Sequence, residues 1–167
     1  MSMNEPLMME LQHEAESTRK MLERLPKEKL TWKPHEKSMS LGRLAMHLAE
    51  IPGWVNATLL ADELDFSKMD YKMVEATSSE EAVKLFDEKL ASALDVLKNT
   101  EDATMMNMWT MRDGETVYFT LPKIAVLRSF VYSHLIHHRG QMSVYLRLLD
   151  VPVPGSYGPS ADDSAGM

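Results

Sequence analysis

Cysteine is absent from this sequence of 167 residues. Its absence excludes a disulfide framework, a thiolate metal ligand and a cysteine nucleophile. Any chemistry must therefore come from histidines, carboxylates, hydroxyl groups or a bound ion. The sequence also lacks an 18-residue apolar run and a charged-then-apolar leader. These two absences predict a soluble, cytoplasmic protein with no membrane-spanning helix.

Basic side chains are in deficit, with 18 Lys and Arg against 25 Asp and Glu and a formal net charge of −7. They are also scattered, whereas binding to nucleic acid or anionic lipid requires clustered Lys and Arg. We therefore expect neither nucleic acid nor a membrane as a partner. The apolar fraction of 44% over this length is enough for one hydrophobic core. We predict a single domain over residues 1–150 and a Pro/Gly-rich tail over residues 151–167.

Several catalytic motifs are missing as well. Leu135 follows His134, so the chain lacks the His-Glu-x-x-His pattern of zincin proteases. It has no Gly-rich phosphate loop, no Gly-x-Ser-x-Gly elbow and no paired-carboxylate motif of the di-iron kind. Nucleotide hydrolysis, serine esterase chemistry and di-iron oxidation are therefore not expected.

Four amphipathic segments dominate the hydrophobic pattern, with apolar residues recurring every three or four positions. They cover approximately residues 5–25, 41–55, 79–98 and 120–149. Pro52 is expected to kink or interrupt the second segment. Ser78 and Glu81 have capping-box spacing before the third, and Thr120 is a candidate cap for the fourth. Since no strand signal is sustained, the predicted fold is an all-α, antiparallel four-helix bundle with long connections.

The pattern is loosest between residues 101 and 121. Asp113 and Gly114 are typical of a short hairpin turn in that stretch. Four methionines crowd the same stretch, at positions 105, 106, 108 and 111. Thioethers suit Cu(I), which makes copper binding one interpretation. We favour the other, that these side chains fill a core or a binding surface.

Histidines provide the most informative functional pattern. His134 and His138 are four residues apart on the apolar stripe of the last segment, so a helix places both on one face, where they can converge on one metal ion. His47 shares the inward face of the second segment and is the natural third ligand. Three neutral imidazoles with open coordination positions are typical of a catalytic metal site. The alternative is that all three are structural core histidines, each satisfied by a hydrogen bond.

Residues near these histidines are candidates for supporting roles. Glu50 follows His47 by three residues and can orient a ligand or act as a base, and the competing interpretation is a solvated surface carboxylate. Arg139 is expected to anchor a carboxylate from another helix or from the tail. Gly140 lies inside a predicted helix, where glycine costs about 1 kcal/mol relative to alanine, and this predicts a close helix approach.

A substrate pocket is predicted from three aromatic residues. Trp54 and Tyr145 are close in sequence to the candidate ligands, and Tyr157 belongs to a tail that can fold over them. Ordinary core packing is the competing interpretation. The remaining histidines are expected outside the site: His13, His35 and His137.

Three stretches resemble the DinB/YfiT-like family of metal-dependent proteins, which is distinct from the translesion polymerase that shares its historical name. They are Ser-Leu-Gly-Arg-Leu-Ala-Met-His-Leu-Ala-Glu over residues 40–50, His-Leu-Ile-His-His-Arg-Gly-Gln over residues 134–141, and Leu-Leu-Asp-Val-Pro-Val-Pro over residues 148–154. The second stretch is the most specific of the three. The resemblance covers nearly the whole chain in order.

The resemblance implies a four-helix bundle in which three histidines hold a divalent metal, here His47, His134 and His138. It also implies a homodimer. Zinc, nickel, manganese and iron all fit, because three imidazoles alone do not discriminate strongly among them. Better understood relatives use the metal in thiol chemistry, as S-transferases and isomerases.

The leading hypothesis is a metal-dependent enzyme acting on a small-molecule substrate, either a transferase that activates a low-molecular-weight thiol or a hydrolase that activates water. One alternative is a non-catalytic, metal-binding or stress-associated dimeric helical bundle. Another is a purely structural helical protein whose core histidines are inert.

Overall fold

The computed structural model describes residues 2–164, over which seven α-helices and three strands alternate with short 3-10 turns. The helices are α1 (Asn4–Leu22), α2 (Leu41–Glu50), α3 (Trp54–Leu59), α4 (Ser79–Lys98), α5 (Asp102–Met105), α6 (Lys123–Val126) and α7 (Ser133–Leu148). The strands are β1 (Glu63–Asp65), β2 (Met108–Asp113) and β3 (Thr116–Pro122). In this part of the chain no helix combines the length and the apolar character needed to cross a membrane.

Helix boundaries follow local chemistry in the first half of the chain. Ser40 caps α2 by accepting a hydrogen bond from the Arg43 amide at 3.0 Å. Ser78 caps α4 in the same way, at 3.2 Å from the Glu81 amide, as its spacing predicts. The expected interruption at Pro52 is also confirmed, because a 3-10 turn over Ile51–Gly53 separates α2 from α3.

The last helical segment differs from its prediction at its start. Thr120 belongs to β3 and caps no helix, so the helical stretch begins at Lys123. A π-helix over Leu127–Tyr132 then joins α6 to α7. The Ser133 hydroxyl donates to the Arg128 carbonyl, five residues earlier, at 2.9 Å. A π-helical stretch shifts the faces of the residues that follow it, and here it directly precedes His134.

The prediction of a purely helical fold is wrong, because the three strands form a small sheet in the order β1-β2-β3. β1 runs parallel to β2, and β2 runs antiparallel to β3. The predicted hairpin is confirmed: Asp113 pairs with Thr116, and Gly114 adopts φ +55° in the turn between them. β1 has three residues and β3 is largely exposed, so neither strand has the alternation that marks a half-buried strand in a sequence.

Two apolar clusters stabilise the fold. The larger one lies among α1, α2, α4 and α7, where α1 and α2 each pack against both α4 and α7. The smaller one places Trp109 and Met111 of β2 against Val126. The methionine-rich stretch is divided between environments: the side chains of Met105 and Met111 are buried in different clusters, while 58% of Met106 and 53% of Met108 is exposed.

Close backbone approach occurs at Gly42 and not at Gly140. A Cβ on Gly42 would lie 3.1 Å from the Ala76 carbonyl oxygen and 3.2 Å from that of Leu30. A Cβ on Gly140 would have no neighbour within 4 Å, because this part of α7 faces solvent. The expected close helix approach at Gly140 is therefore wrong.

The tail packs on the helices as far as residue 164; residues 165–167 of the predicted tail lie outside the described residues. Val153 joins the larger cluster with 8% of its surface exposed. Arg24 donates to the Pro152 carbonyl at 2.9 Å, and the Asp162 carboxylate accepts from the Val153 amide at 2.9 Å. Residues 151–164 of the tail therefore pack against the helices.

Candidate metal centre

Three histidines converge where α2 packs against α7. His47 comes from α2, and His134 and His138 come from consecutive turns of α7. Their candidate ligand nitrogens all lie within 4.8 Å of one another, and the Nε2 atoms of His47 and His134 are 3.0 Å apart. The remaining histidines are exposed, as expected: His13, His35 and His137. The predicted convergence is therefore confirmed as geometry, and metal binding stays a prediction.

The separation of His47 and His134 fits a shared metal ion. Two imidazole nitrogens that each lie about 2.1 Å from one zinc ion are separated by about 3.0 to 3.4 Å at ordinary coordination angles. The 3.0 Å separation of the His47 and His134 nitrogens falls in this range. Three nitrogen donors also leave coordination positions for a small molecule.

Burial keeps the two α7 imidazoles neutral. It lowers the pKa of His134 to about 4, and the neighbouring His138 and His47 act in the same direction. Burial likewise lowers the pKa of His138 to about 4, although its hydrogen bond with Gln141 acts in the opposite direction. Both rings are therefore neutral at pH 7, the form in which imidazole binds metal.

The structural alternative, in which every histidine is satisfied by hydrogen bonds, describes only one of the two ring nitrogens of His134, the Nε2 that lies 3.0 Å from the His47 Nε2. The Nδ1 of His134 is buried and has no hydrogen-bond partner within residues 2–164. The Phe130 carbonyl, one turn earlier, opposes the fall in the His134 pKa without reaching hydrogen-bond geometry. Such a buried polar atom without a partner is unfavourable in an inert core.

Gln141 supports the site, although the sequence did not single it out. The Nδ1–H of His138 donates to the Gln141 side-chain oxygen at 2.6 Å. This bond fixes the tautomer in which Nε2 of His138 is free to bind a metal. The available signal was the spacing, since Gln141 follows His138 by three residues on the same helix.

Glu50 lies beside His47, with its Oε2 3.9 Å from the His47 Nδ1. The same oxygen accepts from the Tyr71 hydroxyl at 2.8 Å and from the Arg43 guanidinium at 3.2 Å. Burial alone would raise the pKa of Glu50, but the neighbouring His47 and the hydrogen bonds from Tyr71 and Arg43 outweigh it and hold that pKa below its usual value. The carboxylate is therefore ionised at neutral pH. Tyr71 comes from an irregular loop, so no sequence pattern could have identified it.

A cavity of about 410 Å³ opens beside His47 and Glu50. Trp54 lines it, as predicted, and Tyr71 and Lys89 contribute polar groups. The rest of the wall is mostly apolar and includes Ala57, Leu64, Met69 and Leu85. The site therefore combines a cluster of nitrogen donors with space for an apolar molecule.

Tyr145 is not brought to this cavity. It lies two turns beyond His138 on α7, about 10 Å further along the helix axis. Its ring packs edge-on against Trp32, with ring centroids 5.6 Å apart, and its hydroxyl donates to the Met39 carbonyl at 3.3 Å. Core packing, the competing interpretation of this residue, describes its surroundings.

Tyr157 and Arg139 are also away from the cavity and meet at Glu14 of α1. The Arg139 guanidinium lies 2.6 Å from the Glu14 carboxylate, which is the anchoring of another helix that we expected. The Tyr157 hydroxyl donates to the same carboxylate at 2.8 Å, and the Arg139 guanidinium lies 5.0 Å from the Tyr157 ring centre. The tail thus covers the contact between α1 and α7.

Comparison with known proteins shows which family the sequence matches. The sequence profile of the DinB family matches residues 1–166. The chain is 28% identical over 156 residues to the uncharacterized protein YrdA of Bacillus subtilis strain 168, covering 91% of this chain and 86% of YrdA.

Two crystal structures share the fold. A DinB-like protein from Bacillus cereus ATCC 10987 superposes with a TM-score of 0.67 at 23% identity, over 90% of this chain and 95% of that one. The DinB-like protein YjoA from Bacillus subtilis superposes with a TM-score of 0.68 at 17% identity, over 87% and 92%. Because the family profile spans nearly every residue and both structures have the same fold, the chain belongs to the DinB family.

Proposed function

We propose that the protein binds one divalent metal ion through His47, His134 and His138 and catalyses a reaction of a small molecule in the adjoining cavity. The observation that carries this proposal is a set of three histidine nitrogens within 4.8 Å of one another beside a cavity of about 410 Å³. When bound, the ion would supply the Lewis acidity that lowers the pKa of a thiol or of water. Zinc, nickel, manganese and iron all suit this donor set.

The residues around the histidines would orient the ligands and move a proton. Gln141 holds His138 in the tautomer that exposes Nε2. Glu50 is held at the cavity wall by Arg43 and Tyr71 through its Oε2. Its Oε1 takes no part in those bonds, so it is the atom that would accept the proton of an entering thiol or water. The same carboxylate steadies His47 from the Nδ1 side.

The substrate expected here has an apolar body, because Trp54, Leu64 and Leu85 form much of the wall. A low-molecular-weight thiol is the co-substrate that the family resemblance implies, and water is the variant for a hydrolase.

In this proposal α1, α2, α4 and α7 act as a four-helix bundle that holds the histidines rigidly. The active form is a homodimer, as the resemblance also implies.

A non-catalytic metal-binding role is the second candidate. It is favoured by the position of His47 and His134 on two different helices, because one ion would cross-link α2 to α7. In that case the ion contributes mainly to folding stability. The two candidates share the metal and differ only in turnover.

Metal analysis tests both candidates. The protein is purified without an affinity tag, because nickel carried over from the tag would give a false result. We expect about one ion per chain in the wild type and in the exposed-residue control His137→Ala. His47→Ala and His138→Ala should lose the ion. Absence of stoichiometric metal in the wild type, or full metal content in both ligand variants, would refute both candidates.

Turnover then separates the two candidates. Model electrophiles are incubated with several thiols, and model esters with water alone, using metal-loaded and metal-free protein. The enzyme proposal expects product only with the metal-loaded protein, and at least a tenfold loss in Glu50→Gln. A metal-loaded protein with no turnover in any arm would leave the stabilising role in its place.

A further inference from the structure

We propose that the cavity selects small molecules that carry an anionic group as well as an apolar body, and that Lys89 of α4 is the residue that recognises the charge. This inference rests on the proposed function in one respect only, which is that the bound molecule is a substrate. The charge preference itself belongs to the cavity wall and does not require the metal.

The side chain of Lys89 packs against Gly53 at the cavity wall. A Cβ placed on Gly53 would lie 3.1 Å from Cδ and 3.7 Å from Cε of Lys89, so the lysine stem occupies the space that a larger residue would fill. Gly53 and Lys89 both line the cavity. The ammonium group is one bond beyond Cε, and Lys89 is exposed to solvent, which places its charge at the cavity opening.

The charges around the cavity leave Lys89 uncompensated. Glu50, the acidic residue of the wall, already forms an ion pair with Arg43 at 3.2 Å. Within residues 2–164 no carboxylate lies within ion-pair distance of Lys89, whereas Lys84 on the same helix lies 4.0 Å from Glu88. The cavity wall therefore carries one carboxylate that is already paired with Arg43 and one ammonium group that has no carboxylate partner among the described residues.

This combination specifies a class of ligand. The apolar wall favours an aromatic or aliphatic body, and a cation at the opening favours a carboxylate or a similar anionic oxygen group at one end. A partly exposed ion pair of this kind is worth about a three- to fivefold gain in affinity. The preference should therefore be measurable, although modest.

A matched pair of probes tests the inference: 4-phenylbutyrate carries the anion, and 4-phenylbutanol has the same body without it. Binding is measured at pH 7.5 in metal-free protein, so that direct coordination of the carboxylate by a metal cannot contribute. Binding is followed by NMR through the indole N–H signal of Trp54, which lines this cavity. The chain has three tryptophans, and the signal that disappears in Trp54→Phe identifies the one from Trp54. We expect wild-type protein to bind the anion about three- to fivefold more tightly than the alcohol.

Lys89→Met and its control Lys84→Met each remove one positive charge from α4 and differ only in position. Lys89→Met keeps the apolar stem and should bind both probes with equal affinity, while Lys89→Arg should keep the preference. Lys84→Met should behave like the wild type. The inference is overturned if neither probe shifts the Trp54 signal, if wild type shows no preference for the anion, or if the preference survives in Lys89→Met. Loss of metal binding elsewhere in the site would leave this readout unchanged, so the two proposals fail separately.

Discussion

The three candidate ligands are not held equally by their neighbours. His138 has a hydrogen-bond acceptor in Gln141 at 2.6 Å, whereas the Glu50 carboxylate beside His47 lies 3.9 Å from its Nδ1, beyond hydrogen-bond distance. His134 has no hydrogen-bond partner at Nδ1 among residues 2–164, and its ring instead packs against Phe130, with centroids 5.5 Å apart. Hydrogen bonds to the outer nitrogen normally orient a ligating imidazole, so these residues should control metal affinity.

Replacing Gln141 by leucine should weaken zinc binding about ten- to a hundredfold, because His138 would lose the acceptor that fixes its tautomer. Competition with a chromophoric chelator measures the affinity, and the visible spectrum of the Co(II) form reports the ligand geometry. Gln12, exposed on α1, provides the matched control as Gln12→Leu. Equal zinc affinity in the two variants would show that Gln141 does not orient the ligand.

Metal-free protein should lose stability as the pH falls from about 6.5 to 4. The pKa of His134 and of His138 lies at about 4 in the folded chain, against 6.5 as the ordinary value. Between these limits the unfolded chain binds protons that the folded chain does not, so acidification favours unfolding. Each histidine adds a slope of up to about 1.4 kcal/mol per pH unit.

Urea unfolding at several pH values measures this slope in metal-free protein. Substituting His134 by Gln removes one of the two titrating groups and should flatten the profile. A profile that is level for the wild type between pH 4.5 and 6.5, or unchanged by the substitution, would contradict the assigned neutral state.

Among the secondary-structure elements, α1, α7 and the tail are joined by a buried ion pair. The side chain of Arg139 is 3% exposed and that of Glu14 is 7% exposed, and Tyr157 closes the pair from the solvent side. A buried pair of this kind contributes little net energy, but removing one partner leaves an uncompensated charge. Both partners are therefore needed together where α1 packs against α7, the helix that carries His134 and His138.

Glu14→Leu should lower the free energy of unfolding by about 3 to 5 kcal/mol, because Arg139 would remain buried without its partner. The double variant Glu14→Leu/Arg139→Met should recover part of that loss. Glu16→Leu, on an exposed position of the same helix, should change the stability by less than about 0.5 kcal/mol. Equal urea midpoints for the two single glutamate variants would mean that the ion pair carries no such role.

For the whole molecule, the candidate metal site connects the two halves of the sequence. His47 lies before the sheet and His134 after it, and the two rings meet only because α2 packs against α7. An ion held by both helices would bind the folded state more tightly than the unfolded chain. Metal binding must then stabilise the entire fold.

Added zinc should raise the melting temperature of metal-free protein. At a free concentration one hundred times Kd the gain is about 2.7 kcal/mol, or about 5 to 10 °C for a chain of this size. Calorimetry measures the shift, which should vanish in His47→Ala and persist in His137→Ala. An equal shift in both variants would place the stabilising ion elsewhere on the protein.

Local patterns were sufficient for part of this description. The spacing of Ser78 and Glu81, the break at Pro52 and the turn at Gly114 each depend on neighbouring residues, and each was predicted. The sheet as a whole was missed, since β1 pairs with β2 from far along the chain and has no alternation of its own, although the hairpin of β2 and β3 was predicted from its turn. Tyr71 and Lys89 were missed for the same reason, because loops and distant helices bring them to the cavity.

The sequence by itself determined the family, the inward stripe that carries His134 and His138, and the presence of a third histidine on another helix, because helical periodicity and motif order are local properties. Only the tertiary structure decided which side chains meet. It placed His47 against His134, separated Tyr145 and Tyr157 from the cavity, and left the charge of Lys89 unpaired at its opening. These contacts join residues far apart in the chain, and their positions follow from how α1, α2, α4 and α7 pack together.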